Sequence, residues 1–304
     1  MRETDTGFDP RTDVLDLPEA PAEPAPAADP RALSRLIPSE EPGREIDDWG
    51  RSEAAFQLAD PILNFYYRYW FRVELENVEN VPAEGGALLV ANHSGALPPD
   101  APMIMHGIRT EHPRPRPVYM LGEHWFKGYP GVGMISNKIG LVAAHPANAQ
   151  RLLADEGRLA LVFPEGQKGS RKLYWQRYKL RRFGRGGFVR TAMRAGVPIV
   201  PIAVVGAEEA MPTFAQIGLL KRLTGLIYFP ITPLFPHFGP IIGTAYLPAK
   251  FRIRFLPPVP TDDLGSDEPW EDKALVQSIA HEVRASIQEE LYDMLAERRS
   301  VWLG

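Results

Sequence analysis

The chain has 304 residues, 44% of them hydrophobic, a net charge of −4 and no cysteine. That length and composition support one large domain or two small ones with a sizeable core. The lack of cysteine excludes a disulfide framework, a thiolate zinc site and a cysteine nucleophile, and it fits a reducing compartment.

The charge is uneven. Met1–Gly50 holds 13 acidic and 5 basic residues, and the remainder holds 29 basic and 25 acidic residues. The part able to form a core is therefore mildly basic and suits an anionic partner such as a phospholipid surface or a phosphorylated cofactor. Residues 1–50, rich in Pro, Ala, Asp and Glu, read as a disordered acidic arm. Their opening, MRETDTGFDP, has no apolar stretch and does not read as a signal peptide.

Ser52–Arg72 is helical in character, with Pro61 at its start or at a kink. Its run of Phe65, Tyr66, Tyr67, Tyr69, Trp70 and Phe71 beside Arg68 and Arg72 suits a water–lipid boundary or packing on the main core. The expected divisions are the arm at 1–50, an aromatic interfacial helix and linker at 51–80, and the main domain at 81–304.

Short apolar runs then predict strands over Ala87–Ala91, Val118–Leu121, Ile139–Ala143, Leu159–Phe163, Ile199–Val205 and Phe251–Leu256. Helical stretches fall between them, near Asp100, over Ala147–Glu156 and over Gly187–Ala195. This alternation predicts an α/β domain with helices on both sides of a sheet. Pro198 and Pro201 place the fifth of these strands at an edge or bend it into a site. Gly225–Gly243 is the most apolar stretch, but its four prolines exclude an unbroken membrane-spanning helix. Within Leu226–Tyr246 the aromatic and proline residues suit lipid contact or an irregular core loop. Glu271–Arg299 carries Leu275, Val276, Ile279, Val283, Ile287, Leu291, Met294 and Leu295 near helical spacing and reads as an amphipathic closing helix.

Two segments carry residues fit for chemistry. In ANHSGALPPD, His93 follows an apolar strand, where an imidazole can take a proton from a hydroxyl if a carboxylate orients it. Asp100 can be that carboxylate, or the cap of the helix it precedes. Ser94 reads as a turn residue. In FPEGQKGSRK, Pro164 and Gly166 enforce a turn around Glu165, which can meet a polar substrate or brace the site. Lys168, Arg171 and Lys172 open a basic run that continues to Arg185 and suits phosphate, an anionic surface or plain solvation. The GRGG at Gly184–Gly187 lacks dinucleotide-fingerprint spacing. His106, His112, His124, His237 and His281 show no metal-ligand spacing, so no metal is expected.

The ordered blocks NHSGALPPD, FPEGQKGSRK and VPIVPIAVVG resemble those of the glycerolipid acyltransferase superfamily, which includes lysophosphatidate and glycerol-3-phosphate acyltransferases. The likeness runs from about Pro61 to Pro258. The His–Asp spacing is two residues longer than the family's usual one and resembles the His-Ser-Gly-x-Leu-Pro-x-Asp form of a bacterial branch. The resemblance implies a single α/β domain with a mixed sheet flanked by helices. It implies His93 as general base, Asp100 as its partner, and direct attack on acyl-CoA or acyl-carrier protein without an acyl-enzyme or a cofactor. No Gly-x-Ser-x-Gly elbow is present, in keeping with that. It further implies that Glu165 and Gly166 shape the acceptor site, that Lys168 stands where the family usually has arginine, and that Pro201 lies toward the acyl donor. His145 falls where members that act on phosphorylated glycerol carry a basic residue. The segment from Gln176 to Glu209 is also similar to the diacylglycerol and phytyl-ester acyltransferase-like branch.

The expected function is thus O-acyl transfer to a glycerolipid such as 1-acyl-glycerol-3-phosphate, by a protein held peripherally on the cytoplasmic membrane face and not binding nucleic acid. The alternatives are a non-phosphorylated acceptor such as diacylglycerol or a long-chain alcohol, a thioesterase, and a membrane-binding protein that keeps the fold without the chemistry.

Overall fold

A computed structural model describes residues 46–94, 97–122, 132–217, 230–262 and 268–304. Helix α1 (Glu53–Phe65) starts where the Ser52 hydroxyl accepts the Ala55 N–H at 3.3 Å, and it contains Pro61. It runs into a π-helical turn at Tyr66–Trp70. There follow β1 (Glu74–Glu76), β2 (Ala87–Ala91), α2 (Asp100–Glu111), β3 (Val118–Gly122), α3 (Val132–Lys138), β4 (Leu141–Ala143), α4 (Pro146–Gln150) with a further π turn at Arg151–Asp155, and β5 (Leu159–Val162). Then come α5 (Gly187–Ala195), β6 (Ile199–Val205), β7 (Arg252–Phe255) and α6 (Lys273–Glu297). Asp272 caps α6 by accepting the Ala274 and Leu275 N–H groups.

The seven strands form one mixed sheet in the order β1-β7-β6-β2-β5-β3-β4. All pairs are parallel except β6 with β7. All five residues of β2 are buried, because both faces of the sheet are covered, and such strands read as continuous apolar runs. Ala87, Leu89 and Ala91 enter one core with Phe56, Tyr67, Phe71 and the apolar side of α2. Leu88 and Val90 enter a second core with α5 and the Val276, Ile279, Val283, Ile287, Leu291 and Met294 stripe of α6. The sheet therefore separates an aromatic-helix side from an α5/α6 side.

Three expectations need correction. The strand with two prolines is interior, between β2 and β7. Pro198 precedes it, and Pro201 tolerates the position because of where its missing N–H falls. Its carbonyl accepts from Leu256 at 2.9 Å, just past the Ile202↔Phe255 rung where the antiparallel ladder ends. Within the segment at 51–80, expected to be a helix and a linker, Glu74–Glu76 is a strand of the sheet, since β1 pairs with β7. Residues 46–50, assigned by composition to the arm, are tied to the domain: Ile46 bridges Ser52, the Trp49 indole donates to Glu156, and Tyr119 donates to Asp47 at 2.5 Å. The rest of the expected arm and residues 226–229 lie outside the described residues; in the remainder of the Leu226–Tyr246 stretch, Pro230–Ile231 pairs with Ala215–Gln216, Tyr246 packs on Tyr66 and Phe71, and Phe238 and Ile242 are exposed.

Gly206 ends β6 and turns the chain toward two buried glutamates. Its φ is +107°, and a Cβ there would lie 2.2 Å from the Lys250 carbonyl. Both facts oppose any side chain. Gly206→Ala is expected to lower stability by about 2 kcal/mol or more, seen as a reduced urea midpoint. An unchanged midpoint would show that the turn relaxes freely.

Candidate functional site

Three neighbouring parallel strands, β5, β2 and β6, end on the same side of the sheet, where open α/β sheets place their ligands. Beyond β2, Asn92 continues the pairing with side-chain atoms: its amide donates to the Val204 carbonyl at 3.0 Å and accepts the Val204 N–H at 2.8 Å. His93 is thus the first residue free to leave the sheet.

The chain returns through Pro98 and Pro99 to place the Asp100 carboxylate 3.1 Å from His93 Nδ1. The longer spacing therefore still closes the pair. Pro99 is the cap residue of α2 and Asp100 its first helical residue, one place later than the cap reading expects. The carboxylate nevertheless does both tasks. Oδ1 accepts the Ala101 N–H at 2.8 Å, while Oδ2 faces His93 and accepts the Ser94 N–H and hydroxyl at 3.2 and 3.3 Å. Asp100 is fully buried, whereas the His93 side chain is 18% exposed. A carboxylate only accepts, so Nδ1 carries the proton and Nε2 offers a lone pair. The ring stacks on Phe163 at 4.3 Å between centroids, which limits its rotation.

After β5, Phe163–Gly166 forms a tight turn, with Gly166 N–H donating to Phe163 O and a φ of +54° at Gly166. This aims the Glu165 side chain inward. Its Oε1 accepts the His93 backbone N–H at 3.1 Å and lies 3.5 Å from Lys172 Nζ, and its Oε2 accepts the Arg181 N–H at 2.7 Å. Lys172 also meets Glu208 at 2.7 Å, and both ion partners of Lys172 are buried. Glu208 accepts the Tyr178 N–H, the Tyr178 hydroxyl donates to Glu209, and Glu209 pairs with Arg298 at 3.1 Å. A buried polar chain thus runs from His93 to the end of α6.

The other expected site residues are spread out. Lys168 is exposed on the single helical turn Gln167–Ser170, which sits against His93: a Cβ on Gly169 would lie 3.0 Å from the His93 Cβ. Arg171 follows that turn, partly buried, and its carbonyl accepts from Gln216. His145 lies past β4 at the same end of the sheet but three strands from β2, about 14 Å at ordinary strand spacing. It is exposed, and its Nδ1 accepts the Ala147 N–H to cap α4. Pro201 is buried opposite Val90 on β2.

The sequence does not reveal the roles of Lys172 and Glu208. Lys172 reads as one cation of a basic run, yet it is buried between two carboxylates. Glu208 carries only the signal of an acidic pair directly after an apolar strand. Burial pushes the Glu208 carboxyl up to about 7, against the opposing pull of Lys172 and the Tyr178 N–H and with Glu165 acting in the same direction as burial. The folded chain therefore holds this proton where the unfolded chain, with an ordinary value of 4.5, has released it. The resulting stabilisation is complete below about 4.5 and is lost as pH rises toward about 7. Glu208→Gln should flatten that part of the stability–pH curve, measured as urea midpoints from pH 4.5 to 8. A slope equal to the parent's would assign the titration elsewhere.

The comparisons agree with this geometry. The Acyltransferase family profile matches residues 72–205, a span that contains His93, Asp100, Glu165 and β6. Uncharacterized proteins of Mycobacterium bovis and Mycobacterium tuberculosis are each 45% identical over 247 residues, covering 81% of this chain and 68% of the relative. A chicken protein named DGAT1/2-independent enzyme synthesizing storage lipids is 28% identical over 221 residues, covering 72% of this chain and 61% of its own length. The crystal structure of the 1-acyl-sn-glycerophosphate acyltransferase PlsC from Thermotoga maritima shares the fold, with a TM-score of 0.53 at 18% identity over 89% of each chain. The chain belongs to the acyltransferase family, within the glycerolipid acyltransferase superfamily.

Proposed function

We propose that this acyltransferase moves a fatty acyl group from the thioester of acyl-CoA or acyl-carrier protein to a hydroxyl of a glycerolipid. The observation that carries the reading is the His93–Asp100 pair, held at 3.1 Å at the open end of β2. In the proposed reaction, Nε2 of His93 takes the acceptor hydroxyl's proton as the oxygen attacks the thioester carbonyl carbon. Asp100 stabilises the imidazolium through Nδ1. Collapse breaks the C–S bond, and the departing thiolate receives the proton from His93. No enzyme-bound acyl group is formed.

The site also bears on the acceptor. 1-Acyl-glycerol-3-phosphate is one candidate, for which Lys168 and Arg171 are the nearby cations. A non-phosphorylated acceptor such as diacylglycerol or a long-chain alcohol is supported by the storage-lipid name of the chicken relative. It is also supported by His145, an exposed helix cap rather than a guanidinium at the position where a phosphate-binding cation is expected. Assays with one acyl-CoA and both acceptor types separate these.

His93→Ala is expected to abolish transfer with the fold intact, and Asp100→Asn to lower kcat by about 10²–10⁴. Near-parental turnover in His93→Ala would overturn the mechanism, and an unchanged rate in Asp100→Asn would leave Asp100 as a helix-terminal residue only.

We further propose that the protein sits peripherally on the cytoplasmic face of a membrane. No helix among the described residues is long and apolar enough to cross one. On α1 and its π turn, Phe56 and Tyr67 are buried while Leu58, Ile62, Phe65 and Tyr69 are exposed, Leu58 by 82%. Their spacing of four, three and four residues aligns them on one helical face. Arg72 draws the C-terminal end beside this stripe by donating to the carbonyls of Trp70, Pro248 and Trp302 at 2.5, 2.8 and 2.5 Å. Exposed Trp302 and Leu303 follow. Each apolar side chain is worth roughly 1.5–3 kcal/mol on full burial. Leu58→Glu with Ile62→Glu should therefore weaken binding to phospholipid vesicles more than about tenfold, while a water-soluble short-chain acceptor is still acylated. Equal vesicle binding would reject this face as the membrane contact.

A further inference from the structure

A cleft of about 320 Å³ opens on the α6 side of the site, lined by residues that neither the family likeness nor the proposed chemistry uses. Its walls bring Trp175, Arg177 and Lys179 from the loop after the Phe-Pro-Glu-Gly turn against Tyr292 and Arg299 from the end of α6. Trp175 and Tyr292 are both large, aromatic and exposed. Among the described residues, no carboxylate pairs with Lys179 or Arg299. The one carboxylate in the walls, Glu209, is buried and already engaged by Arg298 and the Tyr178 hydroxyl, with Arg177 at 3.6 Å. Two exposed aromatic rings beside Lys179 and Arg299 are what a purine ring carrying phosphates requires. The volume is in the range of small-ligand sites.

The position fits the proposed donor. Lys179 is two residues from Arg181, whose N–H holds Glu165, which in turn holds the His93 N–H. The wall of the cleft and the brace of the candidate base are therefore one loop. The cleft's Tyr178 and Leu295 belong to the α5/α6 side of the sheet, while its Val301 packs on the α1 side, just before Trp302.

We propose that this cleft binds the adenosine 3′,5′-bisphosphate end of acyl-CoA, with the base between Trp175 and Tyr292 and the phosphates on Lys179 and Arg299. The inference rests on the reading of acyl-CoA as donor, and it separates that donor from acyl-carrier protein, which shares the phosphopantetheine arm but lacks the nucleotide.

The test is a calorimetric titration of the full chain with adenosine 3′,5′-bisphosphate, alongside steady-state kinetics. The nucleotide is expected to bind and to compete with acyl-CoA. Trp175→Ala, Lys179→Glu and Arg299→Glu, all at exposed positions, should each weaken nucleotide binding and raise KM for acyl-CoA about tenfold, with kcat retained. KM for an acyl-phosphopantetheine donor without the nucleotide should stay unchanged. Absence of binding, parental affinity in all three variants, or an equal rise in KM for both donors would overturn the proposal. Should the parent protein transfer acyl groups from neither donor, the acyltransferase reading would fall, and the titration would still decide the cleft.

Discussion

A carboxylate placed where water cannot reach it must have every lone pair answered, and the arrangement around the site follows from that demand on Glu165. Its side chain is wholly buried. Its three partners are the His93 N–H, the Arg181 N–H and the Lys172 ammonium. An unmatched buried charge costs several kcal/mol, so each partner is obliged rather than decorative. Lys172 in turn is a buried cation and needs more than the distant contact to Glu165, which Glu208 supplies at 2.7 Å. Glu208 has to come from the turn after β6, and only a residue without a side chain can make that turn at Gly206. One buried charge in the β5 turn thereby couples the ends of β5, β2 and β6.

This explains why Glu165 is better described as a brace than as a hand extended to substrate. Both of its oxygens are occupied by the protein itself, and it fixes the backbone at His93 rather than the imidazole. The imidazole is fixed separately, by Asp100 on Nδ1 and by the face of Phe163. Two independent restraints on one residue leave Nε2 as the side of the ring available to a reactant, in keeping with the proposed role. The candidates that remain exposed next to it are on the Gln167–Ser170 turn, where Gly169 is needed because a side chain would strike Glu165 and His93.

Much of this was legible in the sequence where the signal is local. Apolar runs located β2, β3, β5 and β6 to within about two residues, because strands covered on both faces have few polar residues to confuse the pattern, and β7 was legible from the alternation of Ile253 and Phe255 with arginines. His93, Asp100 and Glu165 were legible as candidates because each stands just beyond an apolar run or at a tight turn. The failures are non-local. Pro201 argued for an edge, and only the length of the neighbouring β7 ladder shows that its missing N–H falls past the last rung. Glu74–Glu76 looks too polar for a strand, but β1 is an edge whose glutamates are matched by Arg252 and Arg254 on β7. Lys172 looks like its solvated neighbours, since nothing in a basic run marks the member that will be buried.

The proposed reaction also has to bring together reactants from two media. An acyl acceptor dissolved in a bilayer and a donor carrying several phosphates cannot approach through the same medium. Apolar side chains exposed at helical spacing on α1 suit the first, and cations beside exposed aromatic rings near the end of α6 suit the second. The C-terminal end of β2 carries His93, partly exposed above a fully buried Asp100. In the proposed reaction this base is open to the hydroxyl and the thioester, while its carboxylate partner stays dry. Dryness matters for the outcome as well as the rate, because water at Nε2 would compete with the lipid hydroxyl and turn transfer into hydrolysis.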